Sequence, residues 1–175
     1  MSTPEYRNDP PEDNSIERLR EVMKGLDTAV LMTVSDTTSG RLHGRPMSIA
    51  AFEPDGVCWF FTGIDSPKVS EAKTDPEAYV VCQDSSRQVV MRGNVGITRD
   101  REKMEKYYSK AVEVWFPDGL DDPKLCLMRF VPEEAEYWDL SGTKKLRYFV
   151  EAAKAFVTGE TPEPVSHQHG KVQTL

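Results

Sequence analysis

Cysteine is scarce in this chain and forms no ligand motif. Its three cysteines, Cys58, Cys82 and Cys126, are widely spaced and lie in apolar stretches, with no C-x-x-C pair among them. An odd number of isolated thiols argues against a disulfide framework and against a zinc site. We therefore expect buried free thiols, as in a protein of a reducing compartment.

The sequence also lacks long apolar runs and an excess of basic charge. No apolar stretch is long enough to cross a bilayer, and the first residues contain no apolar signal core. The formal net charge of −7 disfavours a general binding surface for nucleic acids or anionic membranes. We expect a soluble, cytoplasmic protein with neither nucleic acid nor membrane as a partner.

Histidine is rare, with three residues in the whole chain. His43 is the only one in the predicted folded part, and we expect it at the surface, in the turn before the second strand. His167 and His169 have an H-x-H spacing that can bind a metal, but they lie in a polar tail without a third ligand nearby. No metal site is predicted from this pattern.

The length of 175 residues suits one domain with a tail at each end. Residues 1–13 are rich in proline and acidic residues, and we predict a flexible lead. Residues 14–157 would form the domain, and the polar residues 158–175 a flexible C-terminal tail.

The apolar patterns predict six or seven short strands and three or four helices. The strands are predicted at 29–34, 45–52, 57–62, 78–82, 88–97, 124–131 and 135–140. The helices are predicted at 14–25, 66–74, 100–112 and 145–156, with Thr98 or Asp100 as the cap of the third. A tight turn at 53–56 should join the second and third strands into a hairpin. This content predicts a mainly β (α+β) fold, a small antiparallel barrel with flanking helices. No G-x-G-x-x-G follows a strand, so a Rossmann fold has no support.

The stretch 58–75 contains the strongest candidate site. A strand that ends near Thr62 is followed by turn residues, then by a helix with Ser66 as its predicted N-cap and Pro67 as its first residue. A helix N-terminus offers unpaired backbone N–H groups, and Lys68 adds an ammonium group. With the Thr62 and Ser66 hydroxyls, these groups suit a phosphate. From local residues alone, an ordinary capped helix with a solvated lysine is the alternative.

Six short motifs, in a consistent order, give the chain a family resemblance. They are R-P-M-S at 45–48, W-F-F-T-G at 59–63, S-P-K at 66–68, R-Q-V-V-M-R-G at 87–93, W-F-P-D-G at 115–119 and E-Y-W at 136–138. In these motifs the chain resembles the FMN-binding split barrels related to pyridoxamine phosphate oxidase, and within them the general stress protein branch. The resemblance spans residues 29–138. It implies a six- to seven-stranded antiparallel split barrel that binds FMN, or alternatively FAD, at a homodimer interface.

The resemblance also implies which residues surround the flavin. Near the phosphate and the ribityl chain it implies Phe61, Thr62, Ser66 and Lys68. Gln88 would reach the flavin ring from the other subunit, and Trp138 would flank the ring on its outer side. Four consecutive residues would line the flavin edge and the ribityl chain, largely through backbone atoms: Arg45, Pro46, Met47 and Ser48.

The chain departs from the oxidase at three places. Pro67 replaces an arginine of the phosphate turn, which removes one charge and should weaken flavin binding. A lysine used for pyridoxal phosphate falls near Ala50 or Ala51, and the R-L-H-x-R motif after the tryptophan is replaced by D-L-S-G-T-K-K-L-R. We therefore expect no oxidation of pyridoxamine phosphate.

The resulting expectation is a homodimeric FMN-dependent oxidoreductase linked to stress response, with NAD(P)H as a candidate electron donor. The alternative is a flavin-binding carrier or sensor without turnover of its own. Deazaflavin or haem is a third possibility. For haem, His43 is the only axial ligand in the predicted folded part.

Overall fold

The computed structural model describes residues 16–36, 40–139 and 169–173. Its α-helices are α1 (Ile16–Met23), α2 (Pro67–Thr74) and α3 (Arg101–Tyr107), and 3-10 turns cover Lys110–Val114 and Gly119–Asp121. Its strands are β1 (Thr28–Asp36), β2 (Arg41–Ser48), β3 (Ala51–Phe52), β4 (Cys58–Gly63), β5 (Glu77–Gln83), β6 (Arg87–Thr98), β7 (Leu125–Asp139) and β8 (His169–Gln173). No helix of these ranges is long and apolar enough to cross a membrane.

The strands form one antiparallel sheet in the order β2-β1-β5-β6-β7-β4-β3. The long strand β7 pairs with β6 along one edge, while its other edge carries β4 in the first half and β8 in the second. The outermost strands β2 and β3 are consecutive in the chain, so the sheet curls round to bring its two ends together. This arrangement confirms the predicted antiparallel barrel and the hairpin of β3 and β4.

Side chains that alternate along β4 build two apolar clusters, one on each face of the sheet. Phe60 is fully buried inside the barrel with Leu31, Met91 and Phe130. Trp59 points to the other face and packs with residues of α3 and of the turns after it. Burial of each such large side chain stabilises the fold by about 1.5–3 kcal/mol.

The predicted boundaries of the second, sixth and seventh strands are wrong. The second strand begins at Arg41 and ends at Ser48, with Ala51–Phe52 as a separate strand, so His43 lies within β2 rather than in a turn. The predicted sixth and seventh strands are one continuous strand, β7, which passes through Pro132. Pro132 is tolerated there because the register with β6 shifts between Arg92 and Gly93, as in a β-bulge.

The helix predicted at 100–112 is shorter than expected. Of the two predicted caps, Thr98 and Asp100, it is Asp100 that caps the helix, since its carboxylate accepts a hydrogen bond from the Lys103 backbone N–H at 3.1 Å. The helix α3 ends at Tyr107, and a 3-10 turn follows at Lys110–Val114.

The prediction of a flexible C-terminal tail is wrong for His169–Gln173, which form β8 beside β7. Val172 of β8 is buried, and Gly170 lies directly against the ring of Tyr137. The predicted flexible lead and the helix predicted at 145–156 lie outside the described residues.

The three cysteines are free and buried, as predicted. Burial raises the pKa of Cys82 to about 12. These thiols are therefore poor nucleophiles at neutral pH.

Candidate anion-binding site

The end of β4 and the start of α2 bring the predicted phosphate-binding groups together. The Lys68 ammonium donates a hydrogen bond to Thr62 Oγ1 at 3.0 Å, and Ser66 Oγ lies 3.3 Å from the same oxygen. Ser66 occupies the N-cap position of α2 as predicted, but its side chain makes no hydrogen bond to the helix backbone. Its hydroxyl instead belongs to the cluster around Lys68.

A second cation, Arg45, lies beside Lys68. Burial lowers the pKa of Lys68, and the positive charge of Arg45 lowers it further. Within the described part of the chain, no carboxylate forms an ion pair with Lys68. The nearby carboxylate of Glu71 acts in the opposite direction and raises this pKa. A partly buried lysine with a second cation close by is a site that a bound anion would stabilise.

Arg45 reaches this position from β2. Its guanidinium, only 13% exposed, donates hydrogen bonds to Thr33 Oγ1 at 2.5 Å and to Glu71 Oε2 at 2.6 Å. The family resemblance implies that Arg45 lines the flavin edge and the ribityl chain largely through backbone atoms. Its side chain, in the structure, lies near Lys68 and contacts Glu71. Arg45 thus supplies near Lys68 the kind of charge that Pro67 does not provide.

Glu71 and Thr33 belong to the same network, although sequence analysis missed both. Glu71 also contacts His43, whose Nδ1 lies 3.2 Å from Glu71 Oε1. Burial raises the pKa of Glu71, but hydrogen bonds with Thr33, His43 and Arg45 outweigh it and hold that pKa below its usual value. The available signals were the position of Glu71 three residues after Lys68, on the same helix face, and the hydroxyl of Thr33 in an otherwise apolar strand.

The remaining predicted site residues of β2 and β4 differ in burial and in the direction of their side chains. Pro46 and Ser48 are exposed on β2, and Met47 packs partly against the core. The side chain of Phe61 points away from Thr62, because neighbours in a strand face opposite sides. Its ring packs edge-on against Tyr108, with 6.3 Å between ring centroids. The structure therefore does not bring the Phe61 side chain to the cluster.

Gln88 and Trp138 lie together, but far from Lys68 along the sheet. They face each other across β6 and β7, whereas Thr62 pairs with Cys126 at the start of β7. At about 3.3 Å per residue, Cys126 and Trp138 are separated by roughly 40 Å along the strand. The predicted site residues of one chain thus form two separate groups.

Comparison with known proteins identifies the family. The family model described as pyridoxamine 5'-phosphate oxidase like matches residues 14–163. Protein bli-3 of Neurospora crassa is 26% identical over 141 residues, which cover 74% of this chain and 67% of that protein.

Solved structures agree with this match. The crystal structure of a proposed general stress protein 26 from Jannaschia sp. CCS1 superposes with a TM-score of 0.69 at 26% identity, covering 87% of this chain and 94% of that one. A general stress FMN/FAD binding protein from Xanthomonas citri has a TM-score of 0.61 at 21% identity, covering 72% and 89%. The chain therefore belongs to the pyridoxamine 5'-phosphate oxidase-like family and has its split-barrel fold.

Proposed function

We propose that this protein binds a flavin nucleotide, with a phosphate held by Lys68, Arg45, Thr62 and Ser66. The observation that carries the proposal is the convergence of Lys68 and Arg45, with the pKa of Lys68 lowered by burial and by the charge of Arg45. A phosphate would accept hydrogen bonds from both cations and both hydroxyls, so the residues present fit the group. The Xanthomonas citri relative, described as an FMN/FAD binding protein, supports the same class of ligand.

FMN is the proposed nucleotide, with FAD as the alternative. A terminal phosphate monoester carries more charge than a phosphate inside a dinucleotide, and two converging cations favour the more highly charged group. Titration of the protein with FMN, FAD and riboflavin under one set of conditions would rank the three ligands.

We further propose a homodimer in which each flavin contacts both subunits. Gln88 and Trp138 pair near the end of β7, whereas Thr62 pairs with Cys126 near its start, so the two groups lie at different ends of this strand. A two-fold arrangement brings the two groups together from different chains. Trp138 would then belong to the same subunit as Gln88, because the two face each other in the sheet.

The proposed reaction is an oxidoreduction in the cytoplasm, with NAD(P)H as the candidate electron donor. The proposed link to stress response rests on the names of the relatives alone. Bound flavin would supply the hydride chemistry, and this chain's residues would bind and orient it. The alternative, a flavin carrier or sensor, is favoured by the pairing of Arg45 with Glu71, which reduces the charge offered to a phosphate. Faster reduction of bound than of free flavin by NADPH would decide for the oxidoreductase.

The test of flavin binding is a titration of the purified protein with FMN, followed by desalting and a visible spectrum. We expect retained flavin near one per chain, and an affinity at least about tenfold lower in Lys68→Ala, as for a charged hydrogen bond. Lys106→Ala is the matched control, since Lys106 is 60% exposed and lies on α3. Equal affinity of the Lys68 variant and the wild type would refute a phosphate at this position.

A further inference from the structure

Glu71 is a partly buried carboxylate of the candidate site. Its side chain is only 12% exposed and lies on α2, the helix that also carries Lys68. It accepts hydrogen bonds from Thr33 Oγ1 at 2.5 Å and from Arg45 Nη2 at 2.6 Å. These contacts place a negative charge next to the cations that would bind a phosphate.

This carboxylate has opposite effects in the empty and the occupied site. In the empty site it neutralises the guanidinium of Arg45, and a partly buried guanidinium without a counter-charge would destabilise the protein. In the occupied site a phosphate supplies the negative charge, and the carboxylate becomes a repulsive neighbour of the ligand. A group that stabilises the empty protein more than the occupied one lowers the affinity for the ligand.

We propose that Glu71 is a resident counter-anion, which competes with a ligand phosphate for Arg45 and thereby sets the affinity of the site. The proposal rests on the proposed binding of a phosphate-bearing flavin. It makes Glu71 a specificity-determining residue for the phosphate group alone. Riboflavin has the same ring and ribityl chain but no phosphate, so the charge of Glu71 should not affect its affinity.

The test compares Glu71→Gln with the wild type. Glutamine has nearly the same size and keeps an oxygen that can accept the hydrogen bond from Arg45, so the variant removes mainly the charge. Glu105→Gln is the matched control, because it makes the same change in net charge at a carboxylate that is 56% exposed and paired with Arg101. Dissociation constants for FMN and riboflavin and the thermal midpoint of the ligand-free protein are measured for all three proteins.

We expect Glu71→Gln to bind FMN about five- to tenfold more tightly, since a negative charge next to the phosphate is removed. Its affinity for riboflavin should be unchanged, its ligand-free thermal midpoint should fall, and Glu105→Gln should match the wild type. Unchanged or weaker binding of FMN would overturn the proposal. An equal change for FMN and riboflavin would also overturn it, since that is the result of a merely structural role.

Two further results keep this proposal separable from the proposed function. If the wild type binds neither flavin, the proposed function fails, and inorganic phosphate becomes the probe. Phosphate should then raise the thermal midpoint of Glu71→Gln more than that of the wild type, relative to chloride at equal ionic strength, and an equal rise would overturn the proposal. A variant that folds only with FMN, and not with riboflavin, supports it, whereas one that folds with neither overturns it.

Discussion

Single residues in this protein often serve as the centre of a small polar network. Besides Glu71, the clearest case is Glu53, whose side chain is 18% exposed beneath α3. It accepts hydrogen bonds from Trp59 Nε1 at 2.8 Å, from Lys103 Nζ at 3.0 Å and from the Tyr107 hydroxyl. This carboxylate therefore ties α3 to the end of the hairpin of β3 and β4.

The network around Glu53 predicts a pH dependence of stability. The hydrogen bond from Tyr107 has the largest effect on the pKa of Glu53, and with those from Trp59 and Lys103 it outweighs burial and lowers that pKa from 4.5 to about 2. A carboxylate whose pKa is lower in the folded than in the unfolded protein stabilises the fold at pH values above its unfolded-state pKa. This stabilisation is lost as the pH falls through its folded-state pKa.

We expect wild type to exceed Glu53→Gln in free energy of unfolding by about 2 kcal/mol at neutral pH, as for a charged hydrogen-bond network. The difference should shrink between about pH 4.5 and pH 2, as the pKa of Glu53 requires. Urea denaturation of both proteins across this range measures it. A difference that stays constant to pH 2.5 would contradict the assigned role.

At the scale of secondary-structure elements, the short strand β8 is held in place by close side-chain packing against β7. It adds to the second half of β7, where Val172 enters the core with 3% exposure and Gly170 lies on Tyr137. A Cβ atom at Gly170 would lie 2.1 Å from Tyr137 Cζ, so only glycine fits at this position. The strand also covers the part of β7 that carries Trp138.

Gly170→Val is therefore expected to destabilise the protein. Overpacking against a buried ring typically costs about 1–3 kcal/mol, and the loss of the pairing with β7 would add to it. Lys171→Ala is the matched control within β8, because its partly exposed ion pair with Glu136, at 3.4 Å, should contribute little. The free energy of unfolding in urea measures both variants, and a wild-type value for the glycine variant would mean that β8 does not dock on β7 in solution.

At the scale of the whole molecule, the two groups of predicted flavin contacts lead to a test by mixed dimers. Lys68→Ala and Trp138→Ala should each lose flavin, the first at the phosphate and the second at the ring. If the groups come from different subunits, a mixed dimer combines one site with both defects and one intact site.

Refolding the two variants together should restore flavin at about a quarter of all sites, since about half of randomly formed dimers are mixed. The measurement is the flavin absorbance of the refolded protein after desalting, compared with each variant refolded alone. If no flavin binding is restored, either both groups come from one subunit or the proposed dimer does not form.

Local patterns in the sequence were sufficient for most of the fold. Alternating apolar residues and turn residues located β1, β4, β5, β6 and the start of α2, and the ordered motifs indicated the split-barrel family. They failed at Pro132, because a bulge allowed a proline inside a continuous strand, and at β8, because pairing with a distant strand overrode a polar, proline-containing composition. Both failures depend on partners far away in the chain.

The candidate site, too, could be predicted from the sequence only in part. Thr62, Ser66 and Lys68 could be found from the sequence because they lie within seven residues of one strand–turn–helix segment, where local geometry brings them together. Arg45, Thr33 and Glu71 come from β2, β1 and α2, and only the curled sheet brings their side chains into contact. The sequence by itself therefore determined the family and a local cluster of donors, whereas the tertiary structure decided the charge of that cluster, because electrostatic energy depends on distance in space rather than along the chain.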